Sequence, residues 1–259
     1  MTGLGSKLEL RDLTVDYGAR RALDGVSALI GSGELVALLG PNGAGKSSLL
    51  RAVSDRAASG IKRHGQVLID DVPLDEFDRA TLARRVAVVP GQARVAFSLR
   101  VEELVALGRI PHEHPLLGPR AADRAAIDSA IERVGIAELR DRDVRELSLG
   151  ERQLAVLAMA VAQGPRLLLL DEPTVHLDLR HQVAVMELLR DMSQRDGVTV
   201  LAVLHDIGLA RHFFPRLVLL DEGLAVADGT PADVLTAERV RSVYRVDPGI
   251  VGLATVSSG

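Results

Sequence analysis

The run Gly40-Pro41-Asn42-Gly43-Ala44-Gly45-Lys46-Ser47 has the chemistry of an anion cradle. Its glycines let the backbone curl so that successive N–H groups point inward at phosphate oxygens, and a helix starting at its end adds a positive pole. Lys46 brings a point charge to β- and γ-phosphates, and the Ser47 hydroxyl is a hard oxygen suited to Mg²⁺. Residues Gly40 to Ser47, with Ser48 beside them, therefore read as a binding loop for ATP or a similar triphosphate. A second group completes the chemistry. Leu167-Leu168-Leu169-Leu170-Asp171-Glu172 ends an apolar run in two adjacent carboxylates. Neighbours on an extended chain point to opposite sides, so the two acids take different roles. Asp171 is assigned to Mg²⁺, and Glu172 to orienting or deprotonating the attacking water, with Lys46 offsetting the growing charge.

These groups need elements that hold them. Leu35–Leu39 is a short unbroken apolar run, the mark of a strand buried on both faces, and Ser47 to Val53 reads as the helix that follows it. Val86–Val89, Leu167–Leu170, Val198–Leu204 and Leu217–Leu220 are further buried strands. Helical stretches separate several of them: Glu151–Ala162, His181–Ser193 and Ile207–His212. Buried strands alternating with helices imply an α/β fold with a largely parallel sheet, a P-loop NTPase core. Leu8–Val15 alternates and reads as a strand on a half-wet sheet. Between Val101 and Ala162 the periodicity is helical, broken by Pro111, Pro115 and Pro119. Ala121–Val134 is predicted amphipathic, with Ala122, Ala126, Ile127, Ala130, Ile131 and Val134 on one face. The predicted organisation is a discontinuous core (1–90 and 163–259) carrying an inserted helical subdomain (91–162).

Composition narrows the classes. With 47% hydrophobic and 25% charged residues over 259 positions, the chain can bury a core unaided and is not predicted to be disordered. There is no cysteine, so disulfides, thiolate zinc sites and a cysteine nucleophile are excluded. A net charge of −4 and 2% aromatic residues argue against a nucleic-acid partner. The alternating Arg140-Asp141-Arg142-Asp143 reads as a solvated mixed-charge surface. The longest apolar runs fall far below the ~20 residues that cross a bilayer, so membrane work would require a partner chain. His112 and His114, flanked by prolines, are expected on an exposed loop rather than around a metal.

Three further groups, ordered around the two phosphate motifs, restrict the type. Leu147-Ser148-Leu149-Gly150-Glu151 stands directly before a helix that Ser148 can cap. Pro173-Thr174-Val175-His176-Leu177-Asp178 follows the acid pair, and His205 ends the strand Val198–Leu204. In this order the sequence resembles the ATP-binding subunits of ABC transporters, from about Leu8 to about Tyr244. Gly40–Ser47 is similar to that family's Walker A, Leu147–Glu151 to its signature motif and Leu167–Glu172 to Walker B. Leu177–Asp178 is similar to the D-loop and His205 to the switch histidine. The resemblance also implies an N-terminal antiparallel β part. Tyr17 falls where the family places an aromatic against adenine.

What the resemblance implies is a pair of copies, head to tail, each ATP held between one Walker A and the partner's Ser148–Gly150. Asp178 would shape the facing surface, and His205 would contact the γ-phosphate. Membrane permease subunits and, indirectly, an external substrate-binding protein are the further partners implied, at the cytoplasmic face of a bacterial inner membrane. Val101–Arg109, Val203-Leu204-His205-Asp206 and Gly229-Thr230-Pro231 resemble the importers of ferric siderophores, haem and cobalamin. Two departures stand out. Leu149 occupies a position where the family has glycine. Gly91 stands where its Q-loop glutamine is expected, leaving Gln92 as the Mg²⁺ contact, one place late; either the metal contact is weakened or the loop bulges to bring Gln92 in, and a bulge permitted by Gly91 is the favoured explanation. A soluble ABC ATPase, a P-loop kinase and a regulator without useful turnover are the rival readings.

Overall fold

The computed structural model describes residues 5–54, 60–92, 97–112 and 120–251. In chain order the strands are β1 (Leu8–Tyr17), β2 (Arg20–Ile30), β3 (Leu35–Leu39), β4 (Lys62–Ile69), β5 (Val72–Pro73), β6 (Val86–Val89), β7 (Leu167–Asp171), β8 (Thr199–Val203), β9 (Arg216–Asp221) and β10 (Leu224–Gly229). The α-helices are α1 (Lys46–Ser54), α2 (Arg79–Arg85), α3 (Val101–Ala106), α4 (Ala121–Val134), α5 (Leu149–Ala162), α6 (Leu179–Gln194), α7 (Ile207–Phe213), α8 (Pro231–Val234) and α9 (Ala237–Tyr244).

The strands form two sheets. One, ordered β2-β1-β4-β5, is antiparallel. The other, ordered β10-β9-β3-β8-β7-β6, is parallel from β9 to β6, with β10 antiparallel at its edge. Every residue of β3 and β8 is buried, as are the four leucines of β7, because neighbouring strands and layers on both faces leave these runs no contact with water. One face of this sheet packs on the helices, α5 above all. The other packs on α1 and the antiparallel sheet. Helix α5 is apolar on nearly every side, with Leu154 to Ala158 and Ala160 to Ala162 all buried, so it runs through the middle of the helical layer rather than over its surface.

The register decides where the chemistry goes. Val203 of β8 lies level with Leu38 of β3 on one side and Asp171 of β7 on the other. Three adjacent parallel strands thus end side by side, followed respectively by the glycine-rich loop, by His205 and by Glu172. Ligands bind at this end of an open α/β sheet.

The helical face predicted for α4 needs one correction. Ile127, Ala130, Ile131 and Val134 are buried, but Ala122 is exposed and Asp123 is buried in its place. The reason is a partner from outside the helix: Arg109 Nε donates to Asp123 at 2.9 Å, and the same carboxylate caps the backbone of Arg120 at 2.8 Å. His112 is corrected as well. It is half-buried in a 3₁₀ turn, with Nε2 2.8 Å from the Gln163 carbonyl. His114, Pro115 and Pro119 lie outside the described residues. The Arg140–Asp143 run is more engaged than its alternation suggested: Arg140 bridges Glu102 and Asp128.

Candidate functional site

The glycine-rich loop is wedged between strands. A Cβ on Gly45 would stand 2.5 Å from the Ala22 carbonyl and 2.6 Å from Leu23 Cδ2, at a φ of 104° that side-chain-bearing residues avoid. A Cβ on Gly40 would meet the Leu220 carbonyl at 2.2 Å. The loop therefore lies against both β2 and β9, closed by Ala44 N–H to Pro41 at 3.2 Å and by Gly223 N–H to Ala44 at 3.1 Å. Pro41, Asn42, Gly43 and Ala44 border a cleft of about 320 Å³ on one side of it. Lys46 is 6% exposed, and its ammonium donates to the carbonyls of Gly40 at 2.8 Å and Pro41 at 3.0 Å. Burial pushes its pKa down, while Glu172 and Asp171 pull it back up. A cation held by two backbone carbonyls can exchange them for phosphate oxygens. Ser47 and Ser48 open α1 behind it.

The two acids part company as their adjacency requires. Asp171 Oδ1 accepts from Ser47 Oγ at 3.2 Å, across the gap between the β7 end and α1. Burial raises its pKa, and the Ser47 hydrogen bond opposes that shift. Glu172 turns the other way. Its backbone is left-handed, φ 52°, with N–H bonded to the Val203 carbonyl at 3.1 Å, and its Oε1 is hydrogen bonded to His205 Nε2. A carboxylate only accepts, so the imidazole nitrogen carries that proton. Such a backbone is strained for glutamate by ~1–2 kcal/mol, a cost that surrounding contacts must offset and that functional turns often carry.

A cleft of about 530 Å³ opens between these groups, bordered by Ser47, Arg51, Gln92, Asp171, Glu172 and His176 among others. Gln92 borders this cleft together with Ser47 and Asp171, and the Gly91 before it is not the left-handed hinge that was expected. A Cβ on Gly91 would stand 3.1 Å from the Asp171 carbonyl, so glycine lets the loop pass close to β7. The preceding Pro90 carbonyl accepts from the buried Gln153 side chain of α5 at 2.9 Å. Ser47, Asp171 and Gln92 border one cleft, and hydroxyl, carboxylate and amide are oxygen-bearing groups of the kind that suits Mg²⁺. Among the described residues no group of three or more His, Cys, Asp or Glu is placed to hold a metal.

Other predicted residues lie apart. Tyr17 is half-buried at the end of β1, paired across the hairpin with Arg20, and borders neither cleft. Ser148 caps α5 reciprocally with Glu151, at 3.2 and 2.8 Å, and Asp178 caps α6 through His181 N–H at 2.9 Å. Gly150 lies close against the second of these turns, since a Cβ on it would stand 2.8 Å from the His176 carbonyl. Ser148, Gly150 and Asp178 also border neither cleft. Sequence reasoning passed over His176, Gln153 and the C-terminal Tyr244. Burial raises the Tyr244 phenol to about 12 against an opposing hydrogen bond with the Gly40 amide. Of these, only the left-handed turn at His176, φ 68°, had a local signal, its neighbours Pro173 and Asp178.

Fold and site together define a phosphate-loop nucleotide-binding protein. The sequence profile of the ABC transporter family matches residues 23–175. The ferric enterobactin transport ATP-binding protein of Escherichia coli is 37% identical over 94% of this chain and 89% of its own length. The hemin import ATP-binding protein of Deinococcus radiodurans is 41% identical, over 94% and 92%. Among solved structures, a metal-chelate type ABC transporter in an inward-facing conformation superimposes with a TM-score of 0.79 at 26% identity, over 94% of this chain and 90% of that one. A bacterial ABC transporter cassette solved as a dimer gives 0.76 at 27%, over 86% and 98%. The chain belongs to the ABC transporter ATP-binding family, and it is an ATPase of the importer type.

Proposed function

We propose that two copies of this chain, with ATP held between them, power import of an iron chelate, haem or cobalamin through a membrane permease. The cargo classes are those of its relatives, among them ferric enterobactin and hemin. The observation that carries the site reading is the convergence of Ser47–Asp171 and His205–Glu172 on neighbouring strand ends beside Lys46.

In this reading the N–H groups of Gly40–Ser47 and the Lys46 ammonium hold the β- and γ-phosphates of ATP. Ser47, Asp171 and Gln92 would hold Mg²⁺, whose charge screens the phosphate oxygens. Glu172 orients water for in-line attack on the γ-phosphorus and accepts its proton as the bond to the β-bridging oxygen breaks, giving ADP and inorganic phosphate. His205 occupies one oxygen of that carboxylate, leaving Oε2 for the water, and faces the γ-phosphate through the same imidazole. Tyr17 stacks on adenine. Ser148 and Gly150, at the positive end of α5, close on the γ-phosphate of the partner copy, with Asp178 at the facing surface. Residues 91–162 form the helical arm that meets the permease, with Gln92 at its root, and residues 1–90 and 163–259 form the ATP-binding core. Among the described residues no helix is long and apolar enough to cross a membrane, which suits a subunit held at the cytoplasmic face by its permease and served by an external binding protein.

The test is turnover in Glu172→Gln. The expected result is a loss of at least about a hundredfold in kcat, the scale of general-base catalysis, with ATP binding retained. Near-normal turnover would remove Glu172 from its role.

A further inference from the structure

The hairpin joining β1 to β2 carries two consecutive arginines whose surroundings differ. Arg21 is neutralised: its guanidinium meets Asp16, its cross-strand neighbour, at 3.1 Å and Asp24 at 2.8 Å. Arg20 has no such partner. Among the described residues its side chain makes no ion pair or hydrogen bond, and it is exposed. Its guanidinium nevertheless stands over the phosphate loop: beyond the residues adjoining Gly43, its Nη2 is the heavy atom within 4 Å of where a Cβ on that glycine would stand, at 3.9 Å.

This approach is built into the fold. Strand β2 runs against the phosphate loop from its first residues, since Ala22 and Leu23 are the atoms that forbid a side chain on Gly45. Arg20 begins that strand, paired across the hairpin with Tyr17. The loop's own lysine is committed to the inner side, on the Gly40 and Pro41 carbonyls. An unpaired guanidinium held beside an anion-binding loop, with a neutralised twin one residue away, is a second cation waiting for the same anion.

We propose that Arg20 is a nucleotide-binding residue, a second positive charge that donates to the phosphates of ATP from the Gly43 side of the loop. This rests on the phosphate-loop reading of Gly40–Ser47. Guanidinium suits the role, because it stays charged and presents several donors to phosphate oxygens at once.

The experiment is ATP titration of the full chain by isothermal calorimetry at several salt concentrations, for the unmodified protein and for Arg20→Ala, Arg20→Lys, Arg21→Ala and Lys46→Ala. In Arg20→Ala the Kd for ATP is expected to rise about tenfold, as for loss of a hydrogen bond to a charged group, and the dependence of log Kd on log salt to flatten. Arg20→Lys is expected to keep the salt dependence while losing part of the affinity. Arg21→Ala is expected to match the unmodified protein, with Arg20→Ala unchanged in thermal unfolding without nucleotide. An ATP Kd within twofold of normal in Arg20→Ala overturns the proposal. So does an equal loss in Arg21→Ala, or a matching loss of thermal stability. Lys46→Ala separates the two claims: if it binds ATP normally, the phosphate-loop reading fails, whereas if only Arg20→Ala does so, the failure is confined to Arg20.

Discussion

Gly45 shows how little room the phosphate loop has. Its φ of 104° and its 2.5 Å virtual contact with the Ala22 carbonyl act together, so Gly45→Ala must move either the loop or β2. Backbone strain of this kind costs of order 1–3 kcal/mol before the clash is relieved. The variant is expected to lose at least that much unfolding free energy in urea titration and to lose most of its ATP affinity, because the loop N–H groups would be displaced. Unchanged unfolding and binding would mean that the loop adapts freely. At this scale much of the site was legible. Lys46, Ser47, Asp171, Glu172 and His205 follow apolar strands and fall at one sheet end, where spacing alone placed them. Arg20 was not, because two neighbouring arginines are equivalent until Asp16 and Asp24 claim one of them. Nor was Asp123, whose burial depends on Arg109, distant in sequence and on another element.

Among the elements, α5 and β6 form one piece. Gln153 near the start of α5 donates to the Pro90 carbonyl at the end of β6, and Gln163 just past the helix donates to the Val86 carbonyl at the strand's start, at 2.8 Å. The ten steps from Gln153 to Gln163 span ~15 Å of helix. The four steps from Val86 to Pro90 span ~13 Å of strand. The two lengths match, so both bonds form without bending either element. The Ser148–Gly150 turn and the Gln92 loop lie at the joined ends, so the Gln153–Pro90 bond ties one to the other. Gln153→Leu leaves the Pro90 carbonyl without its buried donor, a cost of about 1–3 kcal/mol. Amide exchange at Gly91 and Gln92 is expected to rise in that variant while exchange in β8 stays slow; equal protection in both would show that Gln153 only fills space. Element legibility divides along the same physical line. The parallel strands were readable because burial on both faces demands unbroken apolar runs. β4, β5 and β10 were not: β4 begins with solvated charged and polar residues, β5 is only Val72–Pro73, and β10 is exposed or half-buried throughout, so no unbroken buried run marks them. β2 mixes exposed and buried positions without strict alternation, its register against β1 shifted by bulges.

On the scale of the whole molecule, the proposed function divides the nucleotide site into two parts of one chain. The phosphate loop and acid pair border the clefts, while the α5 and α6 caps, Ser148 and Asp178, sit together elsewhere, with Gly150 against the His176–Leu177 turn between them. Leu149 and Leu179, 57% and 71% exposed, flank these caps and bring apolar surface to the same face. Cassettes of this family form dimers, and a head-to-tail pair would bring the caps of each copy onto the loop of the other. The gain from ATP must then be large: hydrolysis removes it, so a variant that binds without turnover should trap the pair. In Glu172→Gln with ATP and Mg²⁺, light scattering is expected to give twice the monomer mass, falling back to the monomer when ATP is washed out. Adding Ser148→Trp to that background should keep it monomeric at every ATP concentration, because an indole at the start of α5 leaves the opposing phosphate no approach to the helix N–H groups. The same double variant is expected to retain ATP affinity at the monomer level, since Ser148 borders neither of its own chain's clefts. A dimer that forms equally with the indole in place, or without nucleotide, would mean that the apolar flank around Leu149 and Leu179 holds the copies together and that ATP is not what joins them.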